Sequence, residues 1–149
     1  ALSQVGPAGE SAVPKLAGAL SDAIPQVRSL AAVALKSMGA KAAPAVPELM
    51  RAVDDPAVYV RASAADALGA IGPGARAAVP ALARRLAVKG EEMAVLRSAA
   101  TALGNIGPEA RDALPALQQA ARTVRLGPTA EEAILKIEGK PVPAWWPGQ

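Results

Sequence analysis

The segment LGAIGPGARAAVPAL at residues 68–82 returns as LGNIGPEARDALPAL at 103–117, and looser copies, LSQVGPAGESAVPKL and LKSMGAKAAPAVPEL, stand at 2–16 and 35–49. Two landmarks fix the register. A Val-Pro step occurs at Val13-Pro14, Val46-Pro47 and Val79-Pro80, and becomes Leu114-Pro115 in the last copy. A closing glycine occurs at Gly6, Gly39, Gly72 and Gly107, and both series advance by 33, 33 and 35 residues. A repeat of this length is one supersecondary unit that cannot bury its apolar face alone, so neighbouring units must stack into a continuous core. The spacing predicts four units, about 7–39, 40–72, 73–107 and 108–138, with residues 1–6 ending a preceding one.

Each unit carries two helical patterns. The first follows the Val-Pro step, as in VPKLAGAL, VPELMRAV and VPALARRL. Its proline either occupies a first helical turn, where a missing N–H costs nothing, or kinks a helix begun one turn earlier. The second pattern is a stripe at offsets 0, 4, 7, 8 and 11: Val27, Ala31, Ala34, Leu35, Met38; then Val60, Ala64, Ala67, Leu68, Ile71; then Val95, Ala99, Ala102, Leu103, Ile106. These offsets fit one face of an α-helix and no strand. The glycine ends that helix, and the proline of GP at 72–73 and 107–108 prevents its continuation. The expected class is an all-α, α/α superhelical solenoid of four tandem helix pairs.

Composition narrows the chemistry. The chain is 52% hydrophobic but has two Trp, one Tyr and no Phe, so its core is built from Ala, Leu and Val, which suits closely packed helices. No apolar run approaches the roughly 18 residues of a membrane span, and no membrane contact is expected. With no His and no Cys, the usual neutral-pH proton shuttle, the thiolate nucleophile, disulfides and zinc sites with nitrogen or sulfur ligands are all removed. An absence of Cys suits cytosol and periplasm equally, which leaves the compartment open. The net charge of +3 is uneven: residues 76–125 hold eight Lys/Arg against four Asp/Glu, whereas residues 1–75 hold six of each.

The period fits ankyrin or tetratricopeptide units better than the longest HEAT or armadillo units. The ankyrin turn needs a His, however, and tetratricopeptide units lean on aromatics absent here. The pattern VPxLxxxL…D…VRxxAAxALxxIG, running from residue 1 to about 138, resembles the short bacterial HEAT-like repeats, a type also found in phycobilisome lyase subunits. That resemblance implies a turn Asp pairing with an Arg that opens the second helix: Asp22 with Arg28, and Asp55 with Arg61, as a structural ladder. Copy three departs from it. Counting back from Gly107, Gly90 falls at the Asp position and Leu96 at the Arg position, with Arg97 displaced to the next place round the helix. Copy four is shortened and opens its second helix near Pro128, as a terminal unit would.

No residue pattern announces catalysis. The adjacent acids Asp54-Asp55, Glu91-Glu92 and Glu131-Glu132 point about 100° apart on a helix and do not converge. The resemblance brings enzymatic precedents, but iron-binding hydroxylases of the class use His, and the DNA glycosylases use a groove Trp, whereas here both Trp residues lie in the tail GKPVPAWWPGQ at 139–149. No catalytic residue, metal or cofactor is therefore expected. By the same resemblance the second helices line a concave side, where Ser29, Val33, Lys36, Asp66, Arg97, Thr101 and Asn105 form a smooth surface wide enough for a helix or an extended peptide. Gly69 and Gly104 belong to the same exposed columns.

The leading expectation is a non-catalytic scaffold binding another protein or peptide, as the C-terminal part of a longer array. The alternative is a nucleic-acid or other polyanion binder using Arg84, Arg85, Lys89, Arg122 and Arg125, with Arg76 and Arg111 extending the patch. A regulatory or lyase-type subunit of an enzyme complex comes third. The proline-rich tail with Trp145 and Trp146 is either a lid over the last unit or an aromatic anchor. The uncapped first unit invites self-association.

Overall fold

The structure of the chain, a computed structural model, describes residues 6–147, with side chains from Ala12 onward. The expected end of a preceding helix at residues 1–6 lies, apart from Gly6, outside the described residues. Eight α-helices and no strand are found among them: α1 Gly6–Ala19, α2 Pro25–Met38, α3 Val46–Ala52, α4 Val58–Ile71, α5 Val79–Leu86, α6 Met93–Ile106, α7 Leu114–Ala121 and α8 Gly127–Ile137. They form antiparallel pairs that stack side by side, with the even-numbered helices as an inner layer (α2 on α4 on α6 on α8) and the odd-numbered helices as an outer layer. The molecule is an α/α solenoid.

The prolines of the Val-Pro step meet both fates that the sequence allows. In α3, α5 and α7 the proline sits in the first turn, where its missing N–H leaves no hydrogen bond unmade. Each of these helices is preceded by a seven-residue 3-10 segment, Gly39–Ala45, Gly72–Ala78 and Gly107–Ala113. In copy one there is no such break, and Pro14 lies inside the continuous helix α1. The junction from inner helix to 3-10 segment turns at Gly39, Gly72 and Gly107, whose φ of 57°, 74° and 78° lies where L side chains are strained. Glycine is required there for backbone conformation.

Two further glycines serve close packing. A Cβ on Gly69 would stand 2.9 Å from the Cα of Ala102, and one on Gly104 would stand 2.9 Å from the Cα of Ala133. Both glycines are buried, which corrects the expectation that they belong to exposed columns. Their missing side chains let α4 approach α6, and α6 approach α8, almost backbone to backbone.

The core follows the predicted stripe in the middle units. Val60, Ala64, Ala67, Leu68 and Ile71 are all buried, as are Val95, Ala99, Ala102, Leu103 and Ile106. The α2 stripe is only partly so: Ala31 and Leu35 are buried, while Val27, Ala34 and Met38 are half-buried. Burial of such a stripe needs a neighbour on each side, and among the described residues α2 has an inner-layer neighbour only in α4. Full burial of a Val or Leu is worth about 1.5–3 kcal/mol, so the middle units hold most of the cohesive energy.

Candidate functional site

A charged ladder lies along the turn edge, and it crosses between units where the sequence suggested pairs within them. Arg28 grips Asp55 of the next unit through two bonds, Nε to Oδ2 at 2.7 Å and Nη2 to Oδ1 at 2.9 Å. Its remaining nitrogen, Nη1, donates to the main-chain carbonyls of Asp22 at 2.8 Å and Ala23 at 3.3 Å. Arg61 does the same one unit on: it donates to the carbonyls of Asp55 and Pro56, and it holds Glu91 through Nη2 at 2.7 Å and Nε at 3.1 Å. The expected pairings of Asp22 with Arg28 and Asp55 with Arg61 are thus corrected. Each Arg touches its own turn through carbonyl oxygens and the following turn through a carboxylate. A planar guanidinium has the donors for both tasks, and a Lys does not.

The carboxylates have a second task. Asp22 accepts from the N–H of Ile24 and Asp55 from that of Ala57, while Glu91 accepts from Glu92. In all three turns the amide held is that of the residue just ahead of the helix. Glu91, not Gly90, therefore fills the Asp position of copy three. It stands one residue closer to the helix, and its extra methylene makes up the distance. The Glu91 side chain is 2% exposed and also meets Arg85 Nε at 3.0 Å. Burial pushes the carboxyls of Asp55 and Glu91 upward, but the Arg hydrogen bond, the N–H and the surrounding guanidinium charge outweigh it, and both sit below the ordinary carboxylate range. The ladder ends here, since copy three carries Leu96 where an Arg would continue it.

The inner layer carries a shallow cleft of about 190 Å³ over the seam of α4 and α6. Lys36, Asp66, Thr101 and Asn105 border it together with Ser98, and Gly69, Ala70 and Ala102 complete its lining. Lys36 reaches across from α2 to Asp66 at 3.3 Å, an exposed pair worth little in stability. The other expected concave residues lie elsewhere. Ser29 is half-buried, with its hydroxyl 3.2 Å from that of Ser63 in the seam of α2 and α4. Val33 is exposed on α2, and Arg97 is exposed on α6 with no ion pair among the described residues. Adjacent inner helices bring four of the seven expected residues to one place.

The basic residues of copies three and four are partly neutralised. Arg84 pairs with Asp54 at 2.8 Å, and Arg85 pairs with both Asp54 and Glu91. Arg76 lies 4.0 Å from Glu109. Lys89, Arg111, Arg122 and Arg125 are exposed and form no ion pair among the described residues. The sequence could not reveal this, because Asp54, in the turn after α3, meets the end of α5 from thirty residues upstream.

The acidic pairs are structural in part. Asp54 and Asp55 serve different arginines, and Glu132 pairs with Lys136 one turn along α8. No cluster of three His, Cys, Asp or Glu side chains able to hold a metal occurs among the described residues, and no helix there is long and apolar enough to cross a membrane. In the tail the two Trp rings lie 5.9 Å apart and tilted by 48°. Trp145 is 77% exposed, whereas Trp146 is half-buried with its indole nitrogen closed off from solvent. The Trp146 amide donates to the carbonyl of Pro143, and Lys140 N–H returns to the Leu135 carbonyl at the end of α8.

Stacked helix pairs, glycine-closed inner helices and a cross-unit Arg–carboxylate ladder define a helical-repeat solenoid. Residues 1–69 and 46–135 match the HEAT repeats family, and the chain belongs to it. Among solved structures it is similar to the complex of CpcE and CpcF of phycocyanin lyase from Nostoc sp. PCC7120, with 28% identity, a TM-score of 0.69, and coverage of 92% of this chain and 57% of that one. It also resembles an engineered protein at 21% identity and a TM-score of 0.66, covering 87% of this chain and 63% of that one. The chain thus spans less than two thirds of the length of either. No curated protein sequence matches it.

Proposed function

We propose that this chain is a non-catalytic scaffold that binds another protein or a peptide across its inner helices. The observation that carries this reading is the cleft over α4 and α6, which sets a cation, an anion and two neutral hydrogen-bonding groups (Lys36, Asp66, Thr101 and Asn105) around a floor of small residues. Small floor residues admit a chain close to the helix backbones, and the polar rim can fix its register. Similarity to a lyase assembled from two chains supports a role exercised beside a partner. Arg84 and Arg85 already hold carboxylates, which weighs against the polyanion alternative, because phosphate would have to displace them.

A displayed library of random peptides selected against the protein tests the reading. Selected peptides should lose at least about tenfold in affinity against Asp66→Ala or Asn105→Ala, with weak dependence on salt. Binding that survives both changes but collapses in Arg84→Glu/Arg85→Glu, and falls steeply with salt, would instead establish the polyanion surface.

A further inference from the structure

At the turn edge, units two and three meet around one arginine. Arg85, near the end of α5, donates through Nη1 to the Val53 carbonyl (3.4 Å) and to Asp54 (3.2 Å), and its Nε meets Glu91 at 3.0 Å. The same junction between units one and two lacks this side chain. Thirty-three residues before Arg85 stands Ala52, and thirty-three before Val53 and Asp54 stand Leu20 and Ser21. Asp55 takes the part of Glu91, as the acid held by the preceding unit's ladder arginine. Leu20, Ser21, Ala52 and Asp55 all line one pocket of about 410 Å³. The space that a guanidinium fills at one junction is therefore open at the other.

We propose that this pocket is a binding site for a guanidinium group, the arginine side chain of a partner protein. Its walls carry four carboxylates, Asp22, Glu48, Asp54 and Asp55, against two guanidinium groups, those of Arg28 and Arg51. Arg28 is committed to Asp55 and to the carbonyls of its own turn. Arg51 does not fill the space: its side chain is 74% exposed and lies 3.5 Å from Glu48. Glu48 stands where the next unit has Ala81, and its Oε2 is shut off from solvent without a hydrogen-bond partner among the described residues. A buried carboxylate oxygen without a donor is destabilising, and a ligand that brings an N–H to it removes the penalty. A guanidinium suits the site better than an ammonium. Its planar fork of N–H groups can serve a main-chain carbonyl, the Ser21 hydroxyl and separate carboxylates at once. The pocket shares no residue with the cleft over α4 and α6.

Backbone-amide NMR of the 149-residue chain, titrated with N-acetyl-arginine amide, tests the proposal. Saturable shifts are expected at the amides of Ser21, Ala52 and Asp55, in the millimolar range. N-acetyl-lysine amide should bind at least about threefold more weakly, and the uncharged citrulline counterpart not at all. Free arginine, whose own carboxylate would face those of the pocket, should also bind more weakly than the blocked form. Tighter binding of free arginine would overturn the assignment to a partner's side chain. Ala52→Arg supplies from within what Arg85 supplies at the next junction, so it should abolish probe binding and raise the melting temperature. Glu48→Gln, which touches neither the ladder nor the core, is the independent variant and should weaken binding at least about threefold. The absence of any saturable shift, or equal binding of the arginine and lysine probes, overturns the proposal. So do shifts confined to other residues, or probe binding that Glu48→Gln leaves unchanged.

Discussion

Helices α2 and α4 have the same length and nearly the same apolar pattern, yet they live in different surroundings. On α4 every stripe residue is buried, and the adjoining Gly69 packs against the backbone of α6. On α2 only Ala31 and Leu35 of the stripe are buried, and leucine and valine face outward beside them. The pattern therefore specifies a helix with a core-facing side, but the energy realised depends on neighbours. In a solenoid, stability is a sum of unit terms and nearest-neighbour terms, and α2 has fewer of the latter.

The sharpest test of this contrast pairs Leu68→Ala with Leu30→Ala. The first should cost about 3 kcal/mol in chemical denaturation, and the second, at an exposed position, close to nothing. Equal losses would show that the α2 face is covered within one copy. Next comes Gly104→Ala, whose new Cβ meets the Ala133 backbone at 2.9 Å and should cost about 2 kcal/mol. Lys36→Ala, at the matching place on α2, should change stability by under about 0.5 kcal/mol.

The ladder gives a similar loss with a distinct signature. Arg61→Met leaves the buried Glu91 carboxylate with only Arg85 and the Glu92 N–H and should cost about 2 kcal/mol at neutral pH. Asp55 and Glu91 have lowered pKa values relative to 3.8 and 4.5, so their contribution is complete above those values and is lost as pH falls through the lowered folded-state ones. The difference between the variant and the parent in thermal melts should accordingly shrink in acid. A gap that stays constant down to about pH 2 would remove the charge argument. The smallest effect belongs to Arg84→Ala, an exposed partner of Asp54 that should cost under about 0.5 kcal/mol.

Much of the architecture was legible from residue spacing. The 33-residue step, the closing glycines and the offset stripe located the inner helices within a residue or two, because helical periodicity and glycine termination are local physics. The ladder was only half legible. Asp22, Arg28, Asp55 and Arg61 stood out, but the family resemblance paired each Arg with the Asp of its own unit. The partner in the next unit is set by how far the helices advance from unit to unit. Glu91 was noted only as one of a pair of adjacent acids, because the two-residue insertion shifted it off the Asp register, although an acid just ahead of a helix start was the available signal for the ladder. Of the concave set, Lys36, Asp66, Thr101 and Asn105 converge on one cleft, while Ser29 is drawn into a seam.

By itself the sequence determined that this chain is a stack of helix pairs, where each inner helix begins and ends, and that His- or Cys-based chemistry is absent. Those properties follow from backbone preference, apolar periodicity and the inventory of side chains, all readable one unit at a time. Tertiary structure alone decided which carboxylate each arginine holds, that Gly69 and Gly104 let successive inner helices approach closely, that Asp54 answers Arg84 and Arg85, and that Leu30 is exposed. Each of these depends on the distance and rotation between successive units, which is the sum of many side-chain contacts and is written at no single position.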